Sequence, residues 1–242
     1  MGLSVWGAWM LQPTPACWNP FRMRYYPVCL DIKNRPCLVV GGGQVGTRKV
    51  ARLLQCGARV TVISPEVTPE LARLAQQGQI ELRQRDYQRS DLDHCFLVVG
   101  ATDAPEQNRR IHRDAEAIQR LCNIVDQPDL CNFVLPAVIA QGDLLLSIST
   151  SGRSPAFAKH LRRQLQGSFG PEYALFLELM GVVRERLLAD EHAPEAHKPL
   201  FEKLIHSNLL EMIRRDDRAG INTLLAEVLG PGFIYEALID KP

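Results

Sequence analysis

The stretch CLVVGGGQVGTRKVARLL, residues 37–54, decides the fold of this chain. Its first four residues form an all-apolar run, which is typical of a strand buried in a parallel sheet. The glycine pattern G-x-G-x-x-G follows at residues 41–46, and apolar residues then recur at three- and four-residue spacing, as in an amphipathic helix. A strand, a glycine-rich turn and a helix in direct succession predict a Rossmann-type βαβ unit.

The residues of this glycine pattern indicate how the turn would bind a ligand. Gly41 permits a sharp turn out of the strand, Gly43 lets the backbone approach a pyrophosphate, and Gly46 allows the helix to pack close to the sheet. The N–H groups of the first helical turn, at Gln44 and Val45, attract phosphate groups together with the helix dipole. We therefore predict that the loop binds a nicotinamide dinucleotide and that the chain is a redox enzyme.

Hydrophobic patterning outside the loop extends the same fold. Up to Asp126, short apolar runs alternate with amphipathic stretches, which predicts a parallel sheet with helices on both faces. The predicted strands cover residues 37–40, 59–64, 80–87, 96–101 and 122–126, and the predicted helices cover 45–55, 68–77 and 105–120. Two further strands, 133–140 and 143–150, are joined at Gln141-Gly142. Residues 172–229 are helical in pattern, with breaks at 192–199 and near Gly220. The predicted fold class is α/β, with a Rossmann-type parallel sheet followed by a small β dimerisation element and a helical C-terminal domain.

The same patterns divide the chain into four segments. Residues 1–22 contain all three tryptophans, and Arg22 is their one charged side chain. We interpret them as an N-terminal extension and a non-native start before Met23, with an ordered arm as the alternative. Residues 23–132 are predicted to form an NAD-binding Rossmann domain, residues 133–153 a β element for dimerisation and substrate binding, and residues 154–242 a helical domain. Ser154 and Pro155 predict the first helix of that domain, because serine caps helices and proline favours their first position.

The composition argues against several classes of partner and site. Lys plus Arg (28) nearly balance Asp plus Glu (27), so no net charge attracts nucleic acid or an anionic membrane. The apolar stretch at residues 3–11 is too short to cross a bilayer. The seven cysteines contain no Cys-x-x-Cys pair and are interpreted as reduced, mostly buried thiols of a cytoplasmic protein. The six histidines lack metal-ligand spacing, so no fixed metal site is predicted.

The end of the second predicted strand is expected to border the ribose of the cofactor. Ligands of an open parallel sheet lie outside the carboxyl ends of its strands. Here that end reads Ser64, Pro65 and Glu66 instead of the aspartate typical of NAD domains, and no 2′-phosphate clamp is evident. The pattern favours NAD over NADP and leaves NADP open.

The end of the fourth predicted strand is expected beside the nicotinamide half. It reads Ala101, Thr102 and Asp103, immediately before Pro105. A helix-capping turn is the alternative interpretation of these residues, and the two roles are compatible because such a turn lies at the same edge of the sheet.

A family resemblance emerges when the segments are taken together. GGGQVGTRK (41–49), ISPE (63–66), ATDAPEQN (101–108), CNIVD (122–126), FVLPA (133–137) and STSGRSP (149–155) occur in this order. The combination resembles the precorrin-2 dehydrogenases, including the N-terminal half of multifunctional sirohaem synthases. The likeness covers residues 24–170. It is specific, because few other Rossmann proteins follow the fifth strand with F-x-x-P-A and S-G-x-S-P.

The resemblance implies oxidation of precorrin-2 to sirohydrochlorin with NAD as hydride acceptor, and in some members insertion of ferrous iron as a second step. The family's key aspartate matches Asp126, and the tip of the fifth strand faces the same crevice as the glycine loop. Asp126 would accept the proton that leaves the macrocycle, and iron would meet this residue only transiently. The alternative role of Asp126 is that of a turn residue before Pro128. Members of the family pair as homodimers, which the apolar strands within 133–150 would suit.

A tetrapyrrole with many carboxylates needs hydrogen-bond donors. The segment 149–154 supplies hydroxyls, N–H groups and a helix start, and basic residues follow on the next helix. We expect this segment to bind substrate carboxylates, and a plain helix cap with solvated charges is the alternative. Its members are Ser149, Thr150, Ser151, Gly152, Arg153 and Ser154, followed by Lys159, Arg162 and Arg163.

Two other functions compete with this one. A dinucleotide-sensing Rossmann module that regulates another protein without catalysis explains the glycine loop, but it gives no purpose to Asp126 or to the S-G-x-S-P segment. A reductase that acts on an aldehyde is the second alternative, and the sequence shows no catalytic cysteine with a partner histidine.

Overall fold

The computed structural model describes residues 24–189 and 194–239. The extension predicted over residues 1–22 and the proposed start at Met23 lie outside these residues. Contacts within the chain divide it into two compact units, Met1–Val134 and Leu135–Pro242.

The first unit is a five-stranded parallel sheet flanked by three helices. The strands are β1 (Pro36–Gly42), β2 (Arg59–Val67), β3 (Ile80–Arg83), β4 (Leu97–Gly100) and β5 (Leu121–Ile124). The helices are α1 (Gln44–Gln55), α2 (Pro69–Gln76) and α3 (Pro105–Ala117). The strand order is β3-β2-β1-β4-β5 with every neighbouring pair parallel. This order confirms the predicted Rossmann-type fold class.

The two faces of the sheet are covered by different helices. Side chains alternate along a strand, so neighbouring residues of β1 enter different cores. Val39 belongs to a core with Val50 of α1 and Leu71 of α2. Val40 belongs to a second core with Ile111 of α3. Because β1 is buried on both faces, its sequence is an unbroken apolar run.

Strand β3 is shorter than the prediction of 80–87. It pairs only with β2, and the last pair is Ile63 with Arg83. The chain then turns away, because the Arg85 guanidinium binds the Asp91 carboxylate at 2.5 Å. The ring of Tyr87 is buried in the second core, and its hydroxyl donates to Asp114 at 3.2 Å. Contacts distant in sequence therefore end this strand.

The outer edge of β5 is covered by two side chains rather than by a sixth strand. The Asn132 amide accepts from the N–H of Cys122 at 2.7 Å and donates to the carbonyl of Arg120 at 2.7 Å. The Cys131 Sγ accepts from the N–H of Ile124 and donates to its carbonyl, each at 3.2 Å. Unpaired groups of an edge strand invite wrong pairing, and these bonds satisfy them.

The second unit begins with an antiparallel hairpin of β6 (Ala137–Gln141) and β7 (Leu144–Ile148). The prediction started the first strand at Phe133, but pairing begins one residue after Pro136, which has no N–H to donate. The turn consists of Gly142 and Asp143, one residue later than predicted. Gly142 has φ +55°, and a Cβ there would lie 2.9 Å from the Cβ of Ala174.

Helices make up the rest of the second unit. They are α4 (Pro155–Gln166), α5 (Glu172–Ala189), α6 (Pro194–Ile205), α7 (Leu209–Arg214), α8 (Arg218–Leu229) and α9 (Tyr235–Ile239). The break expected near Gly220 precedes α8, since Asp217 caps that helix by accepting from the Gly220 N–H at 2.9 Å. Helix α6 continues through Pro199, which the prediction placed in a break. Within the described ranges, no helix is both long and apolar enough to cross a membrane.

The cysteines are less uniformly buried than predicted. Cys37, Cys95 and Cys122 are buried, and burial raises the pKa of the Cys37 and Cys95 thiols to about 11. Cys29 and Cys56, however, are exposed, because they lie in a loop before the sheet and at the end of α1. The prediction of buried thiols was wrong for these two.

Candidate functional site

Two glycines of the loop bring three backbone segments into contact. Gly41 has φ +113°, a conformation that side chains disfavour, and a Cβ there would overlap the carbonyl of Ala101. A Cβ on Gly46 would overlap the carbonyl of Gly41. The end of β1, the start of α1 and the turn after β4 therefore meet without side chains between them.

Gly43 differs from both because its surroundings are open. It is the N-cap residue of α1, and a Cβ there would meet no protein atom within 4 Å. Glycine offers no side-chain cap, so the first N–H groups of α1 have no partner in the helix. The Thr47 N–H is the first to bond back, to the Gly43 carbonyl at 2.9 Å. An open, uncapped helix start fits the pyrophosphate of a dinucleotide.

The end of β2 leaves the sheet ladder opposite the glycine loop. Val40 pairs with Ile63, but the next pair is Gly42 with Val67, so residues 64–66 bulge out beside Gly41. The Ser64 hydroxyl donates to the Glu66 carbonyl at 2.6 Å and holds the bulge in shape. The side chains of Pro65 and Glu66 are exposed there. Ser64 thus supports the bulge through a bond within it, and its oxygen keeps the capacity to accept.

The turn after β4 is fixed by a residue that the sequence analysis did not select. The Thr102 hydroxyl donates to the Asn108 side-chain oxygen at 2.8 Å, and the Asn108 amide donates back to the Thr102 carbonyl at 2.9 Å. Asn108 is buried. Thr102 does not cap α3, whose N-cap residue is Ala104 without a side-chain bond. The pair holds Ala101 and Asp103 in place at the edge of the sheet.

Asp126 lies in the turn directly after β5, and its side chain is exposed. Its φ of +59° is in the left-handed region, which costs a non-glycine residue energy and persists only where neighbours impose it. The Val125 N–H donates to the Gly100 carbonyl at 2.9 Å, and the Gln127 N–H donates to Ile124 at 3.3 Å. These bonds anchor the turn on both sides of Asp126.

Lys49 on α1 is the cation associated with this turn. Burial lowers the pKa of its ammonium most, Arg52 lowers it further, and attraction from Asp126 and then from Cys131 acts in the opposite direction. Lys49 is thus a half-buried charge in electrostatic contact with the turn that carries Asp126. Such charges are costly and are common at functional sites.

The structure brings together the predicted residues of the first unit. The glycine loop, the bulge 64–66, the turn 101–103 and Asp126 follow β1, β2, β4 and β5, whose carboxyl ends form one edge of the sheet. The sequence analysis missed Asn108, Lys49 and Cys131. A polar residue in the first turn of a predicted helix was the one available signal for Asn108. Lys49 and Cys131 carried no local signal.

The predicted segment 149–154 belongs to the second unit, where it forms a tight loop before α4. Ser151 and Gly152 have φ +54° and +79°. Three hydroxyls accept backbone N–H bonds at 3.2 Å: Ser149 from Ser151, Thr150 from Ser154, and Ser154 from Phe157. Each hydroxyl keeps its own proton to donate.

Ser154 is the N-cap of α4 and Pro155 is its first residue, as predicted. Arg153 and Lys159 are exposed. Among residues 24–189 and 194–239, no three His, Cys, Asp or Glu side chains are grouped so that they could hold a metal ion.

Family models match two consecutive parts of the chain. A model described as putative NAD(P)-binding matches residues 28–137, and a model of the central part of sirohaem biosynthesis proteins matches residues 141–168. The first contains the glycine loop, both neighbouring turns and Asp126. The second contains most of the hairpin and the loop before α4.

Relatives and a solved structure agree with these matches. Siroheme synthase 1 of Cronobacter sakazakii is 35% identical over 210 residues, which cover 86% of this chain and 45% of the relative. Siroheme synthase of Thioalkalivibrio sulfidiphilus is 36% identical, covering 81% and 41%. The chain therefore spans less than half the length of these relatives. The structure of SirC, a precorrin-2 dehydrogenase, is 27% identical with a TM-score of 0.69, covering 82% of this chain and 100% of SirC.

The open space beside Gly43 can be tested with Gly43→Ala. Its φ of −76° accepts alanine, so we expect unchanged stability. The added methyl would occupy the approach of the pyrophosphate, and a clash of about 1–3 kcal/mol would weaken dinucleotide binding about 10- to 100-fold. Calorimetric titration with NAD measures the affinity.

Gly181→Ala is the matched control, because a Cβ there also meets no protein atom within 4 Å, but in the middle of α5. It should leave affinity unchanged and stabilise the fold by about 1 kcal/mol. Equal affinities of the two variants would contradict the assignment of the loop.

Because burying the Lys49 ammonium costs free energy, we predict that Lys49→Met raises the thermal stability of the protein and that this increase depends on pH. A lowered pKa means that the folded state disfavours the charged amine, and this penalty is complete below the folded pKa. It disappears as the pH rises towards the ordinary value of 10.5. The variant should therefore melt a few degrees higher than the parent at pH 7, with the difference shrinking as the pH rises towards 10.5.

Thermal unfolding followed by circular dichroism measures both midpoints. Arg48→Met at an exposed neighbouring position is the control and should change little. A Lys49→Met protein that melts lower at pH 7 would disprove the burial cost.

Proposed function

Because the chain belongs to the family of precorrin-2 dehydrogenases and sirohaem synthases, we propose that it oxidises precorrin-2 to sirohydrochlorin with NAD as hydride acceptor. The observation that carries this proposal is Asp126, an exposed carboxylate in a left-handed turn at the edge of the sheet that bears the glycine loop. A regulatory dinucleotide sensor would need the loop but no carboxylate held in a costly conformation.

NAD is proposed over NADP from the bulge after β2. The exposed Glu66 carboxylate lies there, and residues 64–66 contain no Arg or Lys. A carboxylate can accept from a ribose hydroxyl, whereas it repels the 2′-phosphate of NADP. The N–H groups of Gln44 and Val45 in the first turn of α1 would hold the pyrophosphate.

The chemistry assigns one proton transfer to the protein. Oxidation of precorrin-2 removes a hydride and a proton from the macrocycle, and the bound dinucleotide supplies the hydride acceptor. Asp126 takes the proton as general base, a role that requires its carboxylate to lie within hydrogen-bond reach of that position. The half-buried Lys49 ammonium is attracted by this carboxylate.

The carboxylates of the substrate are assigned to the loop 149–154. Its hydroxyls accept from the backbone and keep their protons for donation, and Arg153 adds a charged donor. We also propose that ferrous iron is the substrate of a second step, its insertion into sirohydrochlorin at Asp126. This step needs no fixed metal site. We place the protein in the cytoplasm, where its thiols stay reduced.

We also propose that the chain forms homodimers through the hairpin of β6 and β7. One face of this hairpin packs on α4 and α5. On the other face Leu145, which pairs with Ala140 next to the turn, is 57% exposed. An isolated two-stranded hairpin is marginal in water, so a second copy that covers this face would stabilise it.

Turnover by Asp126→Asn tests the proposed activity. Asparagine adopts the left-handed conformation readily, so this variant should keep the fold and the NAD affinity. It should lose about 100- to 10,000-fold in kcat, the usual contribution of a general base. Absorbance of the tetrapyrrole follows the reaction with NAD and with NADP, and ferrous iron is then added to sirohydrochlorin.

Asp129→Asn, at an exposed acid three residues later, is the control and should retain full turnover. NAD binding by the parent protein without any oxidation of precorrin-2 would favour the regulatory module. Full kcat in Asp126→Asn would remove the assignment of the base.

Sedimentation over a range of concentrations tests the dimer. Leu145→Lys should shift the protein to monomers, because a charge on the covered face would have to be buried. Leu188→Lys, at an exposed leucine of α5, should leave the dimer intact. A parent protein that sediments as a monomer at every concentration would rule out the pairing.

A further inference from the structure

We infer that the Cys131 thiol is a positioning residue, which holds the turn 124–127 in the conformation that presents Asp126 to the substrate. This inference rests on the proposed function of Asp126. It concerns a residue that touches neither cofactor nor substrate and acts through the backbone of the turn.

The hydrogen bonds of Cys131 span the turn from one end to the other. Its Sγ accepts from the Ile124 N–H and donates to the Ile124 carbonyl, each at 3.2 Å. The Gln127 carbonyl also lies 3.2 Å from the sulfur and shares the single S–H proton with the Ile124 carbonyl, and the Asn123 side-chain amide donates to the sulfur at 3.6 Å. One sulfur atom thus contacts the backbone both before and after Asp126.

The chemical state of the thiol suits this role. Burial raises the pKa of Cys131, and the Ile124 N–H and Lys49 oppose that shift only in part. The group therefore keeps its S–H proton near neutral pH and can donate to a carbonyl. A thiolate would lose the donor and would repel both carbonyl oxygens.

Cys131 does more than satisfy the backbone at the edge of β5, because it also bonds the turn that holds Asp126 in its left-handed conformation. The Asn132 side chain bonds the N–H of Cys122 and the carbonyl of Arg120, both of which precede the turn. Cys131 alone of this pair reaches Gln127, on the far side of Asp126, whose φ is +59°. Without the sulfur, the carbonyls of Ile124 and Gln127 lose the donor that they share, and only the backbone N–H groups of Gln127 and Leu130 still donate to them, at 3.3 and 3.0 Å. We expect this weaker set of bonds to let φ of Asp126 relax towards negative values.

Cys131→Ala tests the inference through kcat. A displaced base lowers kcat about 10- to 100-fold, because a shift near 1 Å is enough for such a loss. The KM for NAD and precorrin-2 should stay within about twofold, since neither ligand contacts the thiol. Cys131→Ser keeps a donor and an acceptor on a shorter bond and should restore part of the lost kcat.

Cys95→Ala is the matched control. Cys95 is a buried thiol that belongs to the same core, but it precedes β4 and so lies at the amino-terminal end of the strands, away from Asp126. This variant also replaces a thiol by a methyl group, and it should retain full kcat. If Cys95→Ala loses as much kcat as Cys131→Ala, or if Cys131→Ala retains full kcat, the positioning role is overturned. If Cys131→Ala does not fold, Cys131→Val, which fills the site without a hydrogen-bond donor, decides, and full kcat in that variant overturns the role.

A readout independent of turnover separates this inference from the proposed function. Backbone chemical shifts of Asp126 and Gln127 report whether φ stays positive. A parent protein that cannot oxidise precorrin-2 ends the proposed function, and the shifts of Cys131→Ala then decide the inference by themselves. Shifts like those of the parent show that the thiol does not hold the turn, whereas a change confined to residues 124–127 supports it.

Discussion

The contact between the backbones of Gly41 and Ala101 is the constraint on which the candidate site depends. The central strand ends against the turn after β4 with no room for a side chain, and Gly46 brings α1 to the same point. Three segments distant in sequence therefore converge on one place. Because β1 lies in the middle of the sheet, the ends of β2 and β5 are arranged on either side of it. A side chain at this contact would disturb both the sheet and the glycine loop.

The edge of the sheet imposes a second constraint, and here support and chemistry coincide. Strand β5 has no partner on its outer side in the first unit, so side chains must satisfy its backbone. Asn132 does this where only cover is needed. Cys131 does it next to the strained turn of Asp126, where the exact position of the backbone affects the direction of a carboxylate. Two different side chains, an amide and a thiol, therefore satisfy the edge of β5, and the thiol is the one beside the proposed base.

Local signals explain which parts of the fold could be predicted. The strand, glycine turn and helix of residues 37–54 form one continuous pattern, and Pro105 and Ser154 mark helix starts by their own conformational preferences. The length of β3 could not be predicted, because its end depends on the ion pair of Arg85 with Asp91 and on the burial of Tyr87 in the core. The exposure of Cys56 likewise depends on where α1 ends relative to the core.

In the candidate site, too, some residues could be predicted from local signals and others could not. The order of strands and turns predicts that Asp126 and the glycine loop share an edge, since all carboxyl ends of a parallel sheet point the same way. Lys49 and Cys131 act on the turn of Asp126, and Asn108 acts on the turn of Thr102, through contacts that no residue pattern indicates. A thiol that bonds backbone atoms cannot be distinguished in sequence from one that only fills space, because both lie within apolar surroundings. Their roles became visible only with the distances between atoms.

The bulge at residues 64–66 also bears on how such a protein can evolve. The ladder between β1 and β2 stops at Ile63 and resumes at Val67, so these three residues contribute no pairing to the sheet. Mutations there leave the register of every strand intact, since the pairs on both sides are already set. The bulge is therefore a place where selection can change the exposed side chains of Pro65 and Glu66, beside the glycine loop, while the pairing of the sheet stays the same.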